Sequence, residues 1–167
     1  MKQDINAATL EQTIHAAARP ERVPAVERFF KTGKGEYGEG DRFLGLDSPA
    51  VRGIVRQFRA LPLTEIVLLL KNPYHEIRLT ALLIMVHQFE HGDEAARAVI
   101  FQVYRNHSWF INNWDLVDLT APGIVGEYAR TVDPAVIGGL KIERGYQVTD
   151  MTIARQLENL KTLLQKR

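Results

Sequence analysis

Leu68-Leu69-Leu70-Lys71-Asn72-Pro73-Tyr74-His75-Glu76-Ile77-Arg78 decides the fold class. Its apolar run ends at Lys71, Asn72-Pro73 breaks the backbone, and a second helix opens with charged residues in its first turn. Proline lacks an amide hydrogen and pushes the preceding residue out of the helical region, so one helix stops before it and another starts just beyond. Downstream, Ile77, Ala81, Leu82, Met85 and Phe89 recur every three to four residues. Upstream, Val51, Ile54, Val55 and Phe58 do the same. This is the spacing of a helix with one apolar face. Ala95, Val99 and Val103, then Val117 and Ala121, extend the pattern. Ser48 reads as an N-cap followed by Pro49 in the first turn, and Gly92-Asp93 ends one helix and opens the next. Alternating strand-like runs joined by Asn-Gly or Asp-Gly are absent. Connections of only a few residues force successive helices to pack antiparallel.

The helix–turn–helix layout repeats. Tyr104-Arg105-Asn106-His107, leading to Asn113-Trp114-Asp115, has the same order roughly 39 residues later, close to the period of HEAT-type helix pairs. The expected fold is therefore all-α, a right-handed α-solenoid of antiparallel HEAT-like helix pairs forming one domain over residues 1–167. A globular helical bundle is the alternative. Stacked pairs would present a concave face to an extended partner.

Composition narrows the function classes. A hydrophobic share of 46% over 167 residues is enough for a substantial core. The absence of cysteine excludes disulfides, thiolate-ligated zinc, iron–sulfur clusters and thiol catalysis, and suits a reducing cytoplasm. No run of about 18 apolar residues occurs, so no membrane partner is expected and a cytoplasmic location is. A net charge of +1 permits nucleic acid as a partner without announcing it, so such binding must rest on local clusters of charge.

Asn112-Asn113-Trp114-Asp115-Leu116-Val117-Asp118 is the stretch with the clearest chemistry. On a helix, Trp114 and Asp118 share one face, about a turn apart. An aromatic wall beside an anion suits a site that stabilises positive charge developing on a sugar or base. Asn112 or Asn113 reads as the helix cap, and Asp115 as an acid favouring the positive helix end. Trp114 could instead belong to the core.

Arg52, Arg56 and Arg59 line one stripe of a helix, with Arg42, Lys34 and Lys31 just upstream and no acid between Ser48 and Pro62. Guanidiniums at that spacing can follow a phosphate backbone, although a solvated helix face has the same appearance. Gly33, Gly35 and Gly38 spell GxGxxG, but a helix rather than a strand precedes them at Val26–Phe30, so no dinucleotide site is expected. His87 and His91 flank Glu90 at helical spacing. They lack the HExxH order, and an exposed helix end without metal is the expectation.

Three further segments carry a family resemblance: Phe29 to Gly45, containing the glycine-rich loop; His75-Glu76-Ile77-Arg78; and Ile124-Val125-Gly126-Glu127-Tyr128. Together with Asn113-Trp114-Asp115-Leu116-Val117-Asp118, they make the chain resemble the AlkD-like DNA alkylation repair family from about Val26 to Val136. The resemblance implies a HEAT-like solenoid holding duplex DNA in a basic cleft. It also implies a monofunctional glycosylase, monomeric and cofactor-free, that excises cationic N3- and N7-alkylpurines without flipping them.

In that likeness Trp114 matches the aromatic against the lesion's deoxyribose, and Asp118 the carboxylate that stabilises the sugar cation and positions water. Lys34, Arg42, Arg52, Arg56 and Arg59 are the candidate DNA contacts. The end of the chain, 137–167, departs from the family pattern. A second cleft tryptophan has no counterpart after Trp114. Arg155 matches the arginine of a Trp-x-x-Arg stretch only with Thr152 in the aromatic's place. A non-catalytic module binding DNA or protein is the alternative reading.

Overall fold

A computed structural model describes residues 5–36, 38–132, 141–144 and 147–150. The chain divides into two compact units, 1–124 and 125–167. In the first, seven α-helices follow one another: α1 (Ala7–Ala16), α2 (Val23–Phe30), α3 (Ser48–Phe58), α4 (Leu63–Leu70), α5 (His75–His91), α6 (Glu94–Asn106) and α7 (Trp114–Ala121). Short 3₁₀ turns at Pro20–Arg22 and Ser108–Phe110 interrupt the connections. The regular elements described in this unit are thus all helical, as the spacing requires. No described helix is long and apolar enough to cross a membrane.

The second unit contains α8 (Glu127–Val132) and an antiparallel hairpin, β1 (Lys141–Arg144) with β2 (Gln147–Asp150). Sequence periodicity does not predict this hairpin; through Ile153, Leu157, Leu160 and Leu164 it predicts a last amphipathic helix over about Thr149 to Gln165. Thr149 pairs with Ile142, and Asp150 with Lys141, in strand register. Ile153, Leu157, Leu160 and Leu164 lie outside the described residues.

Helix α5 is the axis of the first unit, in contact with α1, α3, α4, α6 and α7. Its expected core positions Ile77, Ala81, Leu82, Met85 and Phe89 are all buried, but so are His75, Glu76, Arg78, Thr80 and Ile84. A helix buried on most sides has no solvated stripe to receive polar groups, so each of these must find a partner inside. Around it, Val51, Ile54 and Phe58 of α3 and Ile66, Leu69 and Leu70 of α4 are buried as their spacing demands.

Two faces differ from expectation. On α6, Ala95 and Val99 are exposed while Ile100 and Tyr104 are buried. On α7, Val117 is exposed, and Leu116 and Thr120 face inward. The physical reason is a polar latch. Tyr104 donates its hydroxyl to Thr120 Oγ1 at 2.8 Å, and Thr120 in turn donates to the Leu116 carbonyl, so α6 and α7 meet along that line.

The caps explain where the helices begin. Asp47, rather than Ser48, caps α3, accepting from the Ala50 amide at 2.9 Å, while Pro49 occupies the first turn. Arg19 and Arg22 each reach Asp47 at 3.1 Å. The Ala50 amide, together with these two guanidiniums, holds the Asp47 carboxyl below its usual range. Asp93 caps α6 from the Ala96 amide at 2.8 Å. Asn72 accepts from the Tyr74 amide at 3.0 Å, an Asx-turn that closes the break before α5.

Candidate active site

The glycine-rich loop is where the site begins. Helix α2 ends with Lys31 in the left-handed region. A helix therefore precedes Gly33, Gly35 and Gly38, which is incompatible with a dinucleotide turn. The loop returns to pair with the start of α5: His75 donates its amide to the Arg42 carbonyl at 2.8 Å, and Arg42 donates to the Pro73 carbonyl at 3.4 Å. Immediately afterwards the Glu76 carboxylate accepts from the amides of Leu44, Gly45 and Leu46, at 2.9, 2.8 and 3.2 Å for the shortest contacts. Gly45 has φ +80°, and a side chain there would collide with the Arg19 carbonyl, so this turn requires glycine. One buried carboxylate on α5 thus fixes the loop's path.

That path delivers Asp41 and Phe43 to the first turn of α5. Asp41 accepts from Arg78 Nη2 at 2.6 Å, Asn113 Nδ2 at 2.9 Å and Asn112 Nδ2 at 3.2 Å, and lies 3.4 Å from His75 Nδ1. The other ring nitrogen, His75 Nε2, lies 2.8 Å from Asp115 Oδ2. Burial raises the Asp41 carboxyl's affinity for protons. Its bonds to His75, Asn113 and Asn112 and the Arg78 charge outweigh that, and the carboxyl is held far below its usual range. For His75, burial favours the neutral ring, but hydrogen bonds and attraction from Asp115 and Asp41 prevail and raise its pKa above 6.5. With His75 protonated, the carboxylates of Asp41 and Asp115 balance the cations of His75 and Arg78 within this network, the condition under which buried charges are tolerated.

Above this network stands an aromatic wall. Phe43 stacks on the His75 ring with centroids 4.8 Å apart, Phe30 stacks on Phe43 at 5.0 Å, and Trp114 lies 5.7 Å from Phe30. Phe29 approaches the same indole at 5.9 Å. Trp114 remains 43% exposed, so it is not a core residue. An open cleft of about 310 Å³ is lined by Phe30, Phe43, Val51, His75, Trp114 and Asp118, among others. Trp114 and the exposed Asp118 therefore line the same cavity. Asp115 lines it too, and its Oδ1 is buried without a hydrogen-bond partner among the described residues.

The remaining candidates are placed differently. Arg52 and Arg56 on α3 and Arg59 at its C-cap are exposed and make no ion pair among the described residues, but they do not line the cleft; α3 contributes Ser48 and Val51. Lys34 and Arg42 are exposed in the glycine-rich loop. Arg155 lies outside the described residues. Spacing assigns Asp41 no role, and Asp115 only that of an acid at the positive helix end. Asp115 does sit in the first turn of α7, capped by Asn113, whose side chain accepts from the Trp114 amide at 2.8 Å. Its acid, however, is spent on His75. The available signal was a set of polar residues at positions that packing makes internal, and it was unreadable until α5 was known to be surrounded.

These features define a helical protein with an aromatic–carboxylate cleft supported by a buried charge network. Residues 10–137 match the sequence model of the DNA alkylation repair enzyme family. The chain belongs to that family and is thereby a DNA repair protein. A separate, shorter similarity, to the ATP synthase delta (OSCP) subunit, spans residues 126–164. No curated protein sequence matches the chain.

Proposed function

We propose that the protein hydrolyses the N-glycosidic bond of cationic N3- or N7-alkylpurines in duplex DNA, acting as a cytoplasmic monomer without a cofactor and without extruding the base. The observation that carries this reading is the shared cleft of Trp114 and Asp118 in a member of a DNA alkylation repair family. An alkylated purine is already a good leaving group, so the main barrier is the oxocarbenium-like sugar left behind. A carboxylate and an indole face stabilise that cation electrostatically. Asp118 is assigned to the sugar cation and the attacking water, and Trp114 to packing against the deoxyribose. The free oxygen of Asp115 adds negative potential to the same cavity. His75 and Asp41 are positioning residues, since they fix Asp115 and the loop that carries Phe43.

The solenoid of HEAT-like pairs belongs to this proposal as well. The short breaks between α3 and α4, α4 and α5, and α5 and α6 support it. Lys34, Arg42, Arg52, Arg56 and Arg59 are assigned to phosphates, for which their exposure is the support. The test is release of 7-methylguanine from methylated duplex by the wild type and by Asp118→Asn. A decrease of about 10²–10³-fold in the variant is expected for loss of one such electrostatic contact. Equal release by both proteins, or none by either, would overturn the catalytic assignment.

A second reading, a non-catalytic module holding DNA or protein, is favoured by one observation: the arginine stripe lies outside the cleft. Duplex binding that survives Asp118→Asn and Trp114→Ala without any excision by the wild type would select it.

A further inference from the structure

Away from the cleft, the last turn of α5 gathers His87, Glu90 and His91, whose ligand atoms all lie within 4.8 Å of one another. We propose that these three side chains form a binding site for a borderline divalent transition-metal ion, with zinc as the reference case. Spacing alone supplied only a histidine pair; the structure brings the Glu90 carboxylate to it. The imidazole rings stand 4.2 Å apart between centroids. Donors that bind zinc at about 2.0–2.2 Å sit roughly 3–4 Å apart in tetrahedral geometry, so small side-chain adjustments suffice to close the site.

One ligand is already set in its binding tautomer. His91 Nδ1 lies 2.8 Å from the His87 carbonyl. A carbonyl can only accept, so Nδ1 carries the proton and Nε2 presents its lone pair, the arrangement in which a backbone carbonyl orients a metal-bound histidine. Arg97 caps two carbonyls at this helix end, donating Nε to Phe89 at 3.0 Å and Nη2 to Glu90 at 3.1 Å. It engages only the Glu90 backbone, and the Glu90 carboxylate makes no ion pair among the described residues.

Two imidazoles and one carboxylate select zinc, nickel, cobalt or copper over magnesium or calcium, which prefer all-oxygen shells. Three protein ligands leave a further coordination position for water. A bound ion would tie His87 to His91 across one turn and hold the α5 terminus against fraying. None of these ligands lines the Trp114–Asp118 cleft, so the site stands independently of the proposed glycosylase chemistry.

The experiment is a calorimetric titration of the tag-free full-length chain with zinc chloride at neutral pH, paired with thermal melts in zinc and in magnesium. Saturable binding of one zinc ion per chain and a raised Tm in zinc but not in magnesium are expected. His87→Ala and His91→Ala should each weaken binding by at least about tenfold, and Glu90→Gln should weaken it measurably. Glu90 and His91 are exposed and His87 half-buried, so metal-free melts of the variants should match the wild type. If His87→Ala melts early, His91→Asn carries the test. Absence of saturable zinc binding, or binding unchanged in both histidine variants, would overturn the proposal.

Discussion

His75 Nε2 lies 2.8 Å from Asp115 Oδ2, joining the first residue of α5 to the first turn of α7. Because the opposite ring nitrogen faces Asp41, this imidazole ties the glycine-rich loop, the central helix and the helix carrying Trp114 and Asp118 into one frame. The geometry of the cleft depends on it.

Stability should therefore depend on pH in two directions. The folded pKa of His75 is raised, so its contribution is fully present below about 6.5 and lost as pH rises through the folded value. The Asp41 carboxyl is depressed. Its contribution is present above about 3.9 and lost as pH falls through the folded value. Urea unfolding across this range should give maximal stability between those limits, and His75→Asn should remove the decline on the alkaline side. An unchanged alkaline limb in that variant would separate His75 from the effect.

Asp41→Asn keeps the side-chain shape but leaves Arg78 buried without its carboxylate partner at 2.6 Å. Breaking a buried pair in this way costs about 3–5 kcal/mol. Equilibrium denaturation should show a loss of that size. A change under about 1 kcal/mol, within the range of an exposed pair, would mean that water compensates the guanidinium.

Glu76→Gln replaces one of two oxygens that together accept from Leu44, Gly45 and Leu46. An amide nitrogen cannot accept, so with the remaining oxygen in the Oε1 place the Leu44 amide keeps only its longer, 3.1 Å contact and faces a donor where it had its 2.9 Å acceptor, at about 1–3 kcal/mol. Hydrogen exchange should accelerate at residues 44–46 first. Uniform acceleration across the helices would instead indicate global destabilisation.

Trp114→Ala separates function from folding, since the indole is 43% exposed. Under the proposed reading, loss of its π face at the sugar cation removes about 0.5–2 kcal/mol, or roughly 2- to 30-fold in excision rate. The thermal midpoint should fall only slightly. A folded variant with undiminished excision would remove Trp114 from the mechanism.

The arginine stripe is tested by salt. Each phosphate contact contributes about 0.9 to the slope of log K against log salt. Arg52→Ala and Arg56→Ala should each flatten that slope by about this amount on any duplex sequence. An unaltered slope would make the stripe a solvated helix face.

Much of this protein follows from local order along the chain. The break at Asn72-Pro73, the caps at Asp93 and Asn113, and the apolar spacing of α3 and α5 set helices almost wherever they were expected in the first unit. They do so because capping and periodicity act between residues only a few positions apart. The same locality placed Trp114 and Asp118 on one helix. It could not show which face of α6 or α7 turns inward, because that depends on the contact of Tyr104 with Thr120 across two helices. Nor could it anticipate the pairing of β1 with β2, since the sequence there has neither Asn-Gly nor Asp-Gly.

The buried network was hidden for a related reason. Asp41, His75, Arg78, Asn113 and Asp115 are ordinary polar residues when read singly, and as many as 72 positions separate Asp41 from its partner Asn113. Local sequence determined the helices, their ends and the Trp114–Asp118 spacing, since backbone hydrogen bonding and proline sterics are short-range. Tertiary structure alone decided that α5 is surrounded, that its polar residues are paired, and that the loop bearing Phe43 completes the cleft. Burial and charge pairing are properties of residues brought together in space, and only the folded chain brings these together.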